Sequence, residues 1–160
     1  MMRATVTGIP DLKAALANVH AQLKRRILRN ALAAGARVVR DDARQNTPVI
    51  NVASAPVRRG ERKPGTVRQA IVVRTSKQAR REGNVGVFVN VRPAKRGARG
   101  AKNPDDPFYW RWLEFGTKFM QPRGFLQRAA DRLPQALQVF IAQVGRQIEK
   151  LNRPGGGGSP

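Results

Sequence analysis

Apolar and small residues return every three or four positions along the first third of the chain: Leu12, Leu16, Val19, Leu23, Ile27, Ala31, Ala34 and Val38. That spacing lines one face of an α-helix. Pro10 and Asp11 suit its start, because proline has no amide hydrogen to leave unpaired and a carboxylate favours the positive end of the helix dipole. Asn46-Thr47-Pro48 ends it, since the residue before a proline is pushed out of the α region. A helix over residues 11–46 would run about 54 Å at 1.5 Å per residue, longer than a small domain is wide. Either Gly35 bends it or part of it lies against a neighbouring subunit; the second arrangement is the one expected.

The remainder of the chain must accommodate a large positive charge. Lys and Arg number 31 against 10 Asp and Glu, a formal net charge of +21 over 160 residues. The excess is uneven. Residues 54–103 hold 14 basic and 2 acidic groups (+12), against +6 for residues 1–53 and +3 for residues 104–160. Much of it falls in two stretches rich in glycine and proline, which read as loops. Residues 50–66 contain Arg58, Arg59, Arg62 and Lys63; residues 92–107 contain Arg92, Lys95, Arg96, Arg99 and Lys102. Such loops are expected to order on contact with an acidic protein surface or a phosphate backbone, or else to stay solvated; charge alone argues for association and names no partner.

Between the loops the period changes. Residues 67–76 are rich in β-branched side chains and read as a strand. Residues 84–92 alternate, with Val85, Val87, Val89 and Val91 on one side and Gly86, Phe88 and Asn90 on the other, the mark of a half-buried strand. The polar segment 77–83 joins them as an antiparallel hairpin. A second helical stripe runs through Leu126, Ala130, Leu133, Leu137, Ile141, Val144, Ile148 and Leu151, with Pro134 either kinking it or starting a new segment. These elements predict an α+β fold: an antiparallel sheet of three or four strands packed on a long N-terminal helix and a C-terminal helix. Residues 1–152 are read as one domain and the glycine-rich residues 153–160 as a flexible tail.

Catalysis finds little to work with. The chain has no Cys and one histidine, His20, so disulfides, thiolate sites, a Ser-His-Asp triad and most zinc sites are poor fits. Asp41 and Asp42 are adjacent, point about 100° apart on a helix and suit Arg37, Arg40 or Arg44 better than a shared ion. Asp105-Asp106 lies between Pro104 and Pro107 and reads as turn chemistry. A metal-dependent nuclease would need a converging His/Asp/Glu set that is not apparent. No apolar run approaches the roughly 20 residues of a membrane span, and the first residues lack the apolar stretch of a signal peptide. The expectation is a non-enzyme with no cofactor and no membrane partner, made in a reducing cytoplasm.

The densest signal is Phe108-Tyr109-Trp110-Arg111-Trp112-Leu113-Glu114-Phe115, five of the chain's nine aromatic residues within eight positions. Gly116 ends it, as the left-handed glycine that commonly closes a short helix. Such a cluster is either a plug between hairpin and helices or a contact face, because Tyr, Trp and Arg are enriched where interfaces bury anchors. Tyr109, Trp112, Phe115 and Phe125 are the candidate anchors. Glu114, a charge among apolar neighbours, needs a partner, and Arg68, Arg111 or Arg123 could supply it within the chain or across a subunit boundary.

The order of segments resembles a family. A short valine strand at residues 4–8 precedes the helix; then come Gly65-Thr66-Val67-Arg68-Gln69-Ala70-Ile71, the hairpin, Leu113-Glu114-Phe115-Gly116-Thr117, and Phe125-Leu126-Gln127-Arg128-Ala129. This is similar to the tail-completion and head–tail joining (neck) proteins of tailed bacteriophages and prophages, in which a Leu-Glu-Phe-Gly-Thr segment follows the hairpin. The resemblance covers roughly residues 4–150. It departs at Val67, where leucine is usual, at Ala70, where serine is usual, and at residues 122–125. It implies a structural protein of the virion, assembled in the host cytoplasm. It would form a homo-oligomeric ring, most commonly a hexamer, between the tail tube or tail terminator and the head connector or stopper, with DNA passing through. The resemblance assigns the motif residues Gly65, Arg68, Tyr109, Trp112, Leu113, Glu114, Phe115, Gly116, Thr117, Phe125 and Leu126 to subunit contacts. A nonspecific nucleic-acid-binding protein is the alternative.

Overall fold

The computed structural model describes residues 21–49 and 63–152, together with Lys13 and Ala17, both helical. The N-terminal strand at 4–8, the helix start at Pro10 and Asp11, His20 and the first basic loop's Arg58, Arg59 and Arg62 lie outside the described residues. In chain order the elements are α1 (Ala21–Asn46), α2 (Thr66–Ala70), β1 (Ile71–Thr75), α3 (Lys77–Arg81), β2 (Val87–Val91), α4 (Trp110–Phe115), α5 (Phe125–Ala129), a 3₁₀ turn (Ala130–Arg132) and α6 (Leu133–Asn152). The fold is α+β: a long N-terminal helix, a two-stranded antiparallel sheet and a C-terminal helix.

Contacts divide the chain into two compact units. One comprises residues 1–38, 75–88 and 134–160. Its core is helix on helix: Ile27, Ala31 and Val144 are buried, with Leu23, Leu28, Phe140 and Ile148 packed around them. Of the stripe, Leu23, Ile27 and Ala31 therefore pack on α6 within the chain. Gly35 explains itself here. A Cβ at this position would lie 2.5 Å from the Ala136 carbonyl oxygen and 3.6 Å from Phe140 Cβ, so the glycine permits a close helix crossing. The outward residues Arg25, Arg26, Arg29 and Arg37 are exposed.

The other unit comprises residues 39–74 and 89–133. Ala43, Val67, Ile71, Val91, Phe125 and Ala129 are buried together, flanked by Val39, Tyr109, Trp110, Leu113 and Leu126. Arg44 reaches across to place Nε and Nη2 on the Ile71 carbonyl at 3.1 and 2.8 Å. Asp41 pairs with Arg40, whereas Asp42 pairs with Arg132, 90 residues away in sequence. Thr47 ends α1 by donating its hydroxyl to the Ala43 carbonyl.

Two expectations need correcting. The sheet has two strands among the described residues, and the expected strand at residues 4–8 lies outside them. The amide of Arg92 donates to Ala70 and that of Ser76 to Gly86, which sets Ile71 opposite Val91 and Val73 opposite Val89. Residues 67–70, the start of the segment read as strand, lie in the helical turn α2. A strand would aim Val67, Gln69 and Ile71 at one face and bury the glutamine. The turn instead keeps Val67 and Ile71 inside and leaves Arg68 and Gln69 exposed. Segment 77–83 is likewise not a plain loop: the Ser76 hydroxyl caps α3 by accepting from the Ala79 amide at 3.1 Å. Pro134 starts a new segment, sitting in the first turn of α6, where its missing N–H costs nothing.

Candidate aromatic contact face

The Leu113–Thr117 motif forms a junction between α4 and α5. Helix α4 is a turn and a half, with Leu113 inward and Trp112 and Phe115 outward, as helical spacing requires. It stops at Gly116, with φ 77° and ψ −178°, and the Gly116 amide closes onto the Trp112 carbonyl at 2.9 Å. The positive φ matches expectation; the extended ψ does not, so this is not a left-handed helix cap. The chain then reverses. Thr117 and Met120 exchange backbone hydrogen bonds at 2.9 and 3.2 Å, leaving Lys118 and Phe119 at the tip. On its return the chain gives the Arg123 and Gly124 amides to the carbonyls of Leu113 and Glu114, at 2.8 and 3.1 Å, which satisfies acceptors left over at the end of α4.

Glu114 is 5% exposed, and among the described residues no arginine is its partner. Its two carboxylate oxygens accept the backbone amides of Leu126 (Oε2) and Gln127 (Oε1), both at 2.9 Å. Arg68, Arg111 and Arg123, the expected partners, are exposed. The reason is geometric: α5 begins after Gly124 without a side-chain cap of its own, and its first amides must find acceptors. Glu114 supplies them from 12 residues upstream. The motif glutamate is thus an architectural staple.

The remaining motif residues separate by exposure. Phe125 is fully buried and packs in the core with Ala129, one helical turn on, so it cannot anchor a neighbour. Tyr109, Leu113 and Leu126 are half-buried against that core. Gly65 opens α2 at φ 78°, and Arg68 points to solvent. Trp112 is 51% exposed and Phe115 73% exposed, and Phe119, which the sequence reading missed, is 93% exposed. A large aromatic in a short turn beyond a Gly-Thr pair was the available signal. Phe108 steadies Trp112 through an edge-on contact with ring centres 5.3 Å apart, and Lys118 lies 5.8 Å above the Phe119 ring.

The second basic loop carries hydrogen bonds of its own. Asp106 is buried and accepts the amides of Ala94 at 2.9 Å and Gly100 at 2.7 Å, drawing both ends of the loop together. Asn103, also buried, donates to the Arg96 carbonyl and accepts from the Asp105 amide. The turn chemistry read from residues 105–106 is real, but it organises the whole loop. Asp106→Asn keeps one acceptor and turns the other into a donor facing a donor. It should cost about 1–3 kcal/mol in urea unfolding, the usual price of a buried unsatisfied polar group. A change within error would mean these amides have other partners.

Among the described residues no group of three His, Cys, Asp or Glu is placed to hold a metal ion, and no helix is long and apolar enough to cross a membrane. No curated protein and no solved structure matches the chain. A family profile does: the one described as "Bacteriophage HK97-gp10, putative tail-component" matches residues 10–116, ending on the glycine of the Leu-Glu-Phe-Gly-Thr motif. With two thirds of its length matched, the chain belongs to the HK97 gp10-like family of bacteriophage tail components.

Proposed function

We propose that this structural tail protein of the virion works by assembly, with copies joined into a ring at the head–tail junction through Trp112, Phe115 and Phe119. The observation that carries this reading is the exposure of three large aromatic side chains on α4 and the turn that follows it, 51, 73 and 93% respectively. Exposed apolar groups gathered in one segment mark an interaction surface. A ring needs two different patches per subunit that fit each other. The arginine face of α1, with Arg25, Arg26, Arg29 and Arg37, complements the aromatic turn, since guanidinium groups stack on aromatic rings. In this reading the ring is six-fold, joins the tail tube or terminator to the head connector or stopper, and lets DNA pass. It catalyses nothing and uses no cofactor.

Light scattering across a concentration series tests the reading. The wild-type chain should pass from monomer to a closed oligomer, and Trp112→Ser/Phe119→Ser should remain monomeric with an unchanged circular dichroism spectrum. A wild-type chain that stays monomeric at high concentration, or a double variant that assembles equally well, would overturn it.

A further inference from the structure

A cleft of about 560 Å³ opens between α2, the end of β2 and the second basic loop. Lys63, Arg92, Lys95 and Arg96 line it, with Gln69 as a neutral hydrogen-bonding group and Asp105 as its single carboxylate, a net charge of +3. None of the four cations has a side-chain hydrogen bond or ion pair among the described residues. Gathering like charges around one carboxylate leaves a local positive excess that favours an anion. The walls are also fixed in advance. Asp106 holds the amides of Ala94 and Gly100, which flank Lys95 and Arg96, and the Arg92 amide is bonded to the Ala70 carbonyl at the end of α2. A cationic cleft in the size range of ligand pockets, hydrogen-bonded along its loop wall and without an ion pair among the described residues, suits an anionic occupant.

We infer that its occupant is an acidic segment of a different protein, laid in extended form with carboxylates over the cations. A second copy of this chain fits poorly. Its 10 acidic residues include only two adjacent pairs; of these, Asp41 and Asp42 are tied to Arg40 and Arg132, and Asp106 is buried. A copy could offer one carboxylate at a time. Duplex DNA fits poorly too. It presents phosphates on a convex rod that meets exposed Lys95 and Arg96 more readily than half-buried Arg92. An extended peptide with an acid at every second residue spaces its charges about 7 Å apart on one side. That lets two or three carboxylates enter together, and guanidinium groups take a carboxylate through two parallel hydrogen bonds.

Fluorescence anisotropy of labelled hexaglutamate against the full chain provides the test, with a twenty-base-pair duplex as the second probe and circular dichroism as the folding check. Arg92→Gln/Arg96→Gln should weaken hexaglutamate binding at least about tenfold, the usual scale for losing desolvated charge pairs. Lys63→Gln/Lys95→Gln, which alters only exposed side chains, should weaken it by about threefold or more and decides the matter if the first variant is unfolded. The control Arg80→Gln/Arg81→Gln, on α3, should leave the peptide affinity unchanged. Duplex binding should move little in all three, because the chain's other cations carry phosphate affinity. The inference is overturned if hexaglutamate does not bind, if the control weakens it as much as the cleft variants, or if duplex and peptide lose affinity in parallel, which would make phosphate the occupant. The oligomeric state of the cleft variants should match wild type, so failure here is distinguishable from failure of the aromatic face.

Discussion

Gly116→Ala should remove about 3–5 kcal/mol of stability from the unit built around Phe125, enough to unfold a marginal domain. Two costs combine. At φ 77° and ψ −178° the backbone occupies a region that essentially only glycine enters. A Cβ there would also stand 2.7 Å from the Met120 carbonyl oxygen, 2.9 Å from the Pro122 nitrogen and 3.0 Å from Pro122 Cδ. None of these belongs to a flexible side chain that could swing away. Relief requires opening the Thr117–Met120 turn, and with it the returning hydrogen bonds to Leu113 and Glu114. Urea unfolding followed by the fluorescence of Trp110 and Trp112 measures the loss. Gly145→Ala on α6, where an added Cβ meets nothing within 4 Å, is the comparison and should be neutral or slightly stabilising. A Gly116→Ala protein as stable as this comparison would mean that the turn is loose.

Glu114→Ala should cost about 2–5 kcal/mol, because it strips the acceptors from two backbone amides at the start of α5. The effect reaches the core directly, since Phe125 immediately precedes the two amides that lose their partner. Amide hydrogen exchange at Leu126 and Gln127 should accelerate along with the drop in unfolding free energy. Glu114→Gln should recover only part of the loss, as its amide nitrogen would confront an N–H donor. The loss should also persist in high salt, whereas that of an exposed ion pair would shrink. A deficit that disappears with added salt would point back to an arginine partner.

What the sequence discloses, and what it conceals, follows from where each signal lies. The body of α1 and its end at Asn46 were legible because Leu23, Ile27 and Ala31 recur at helical spacing and pack in the structure, and because Pro48 bars the helix from continuing. The stripe could not say whether its partner was α6 or another subunit. Gly35 looked like a hinge only because the residue that needs its missing side chain, Ala136, is about a hundred positions away. The segment 67–70 was misread because β-branched composition outweighed one polar residue, Gln69, that no buried face would take. Phe125 was grouped with the aromatic anchors by the motif, although its spacing to Ala129 places both on the inward face of α5. Glu114's partners were invisible for a simpler reason: they are backbone amides, and every residue but proline has one. The hydrogen bonding of the second basic loop was hidden in the same way, since the acceptor role of Asp106 toward Ala94 and Gly100 appears only once the chain has turned.

The use of Asp106 and Glu114 on backbone amides has a wider electrostatic effect. A chain this short of carboxylates withdraws two of them into its interior, where they accept backbone amides. The exterior is left even more one-sided than composition implies, and free copies repel one another over about a Debye length. Encounters are favoured where surfaces of the opposite sign, or a denser ionic medium, lower that barrier.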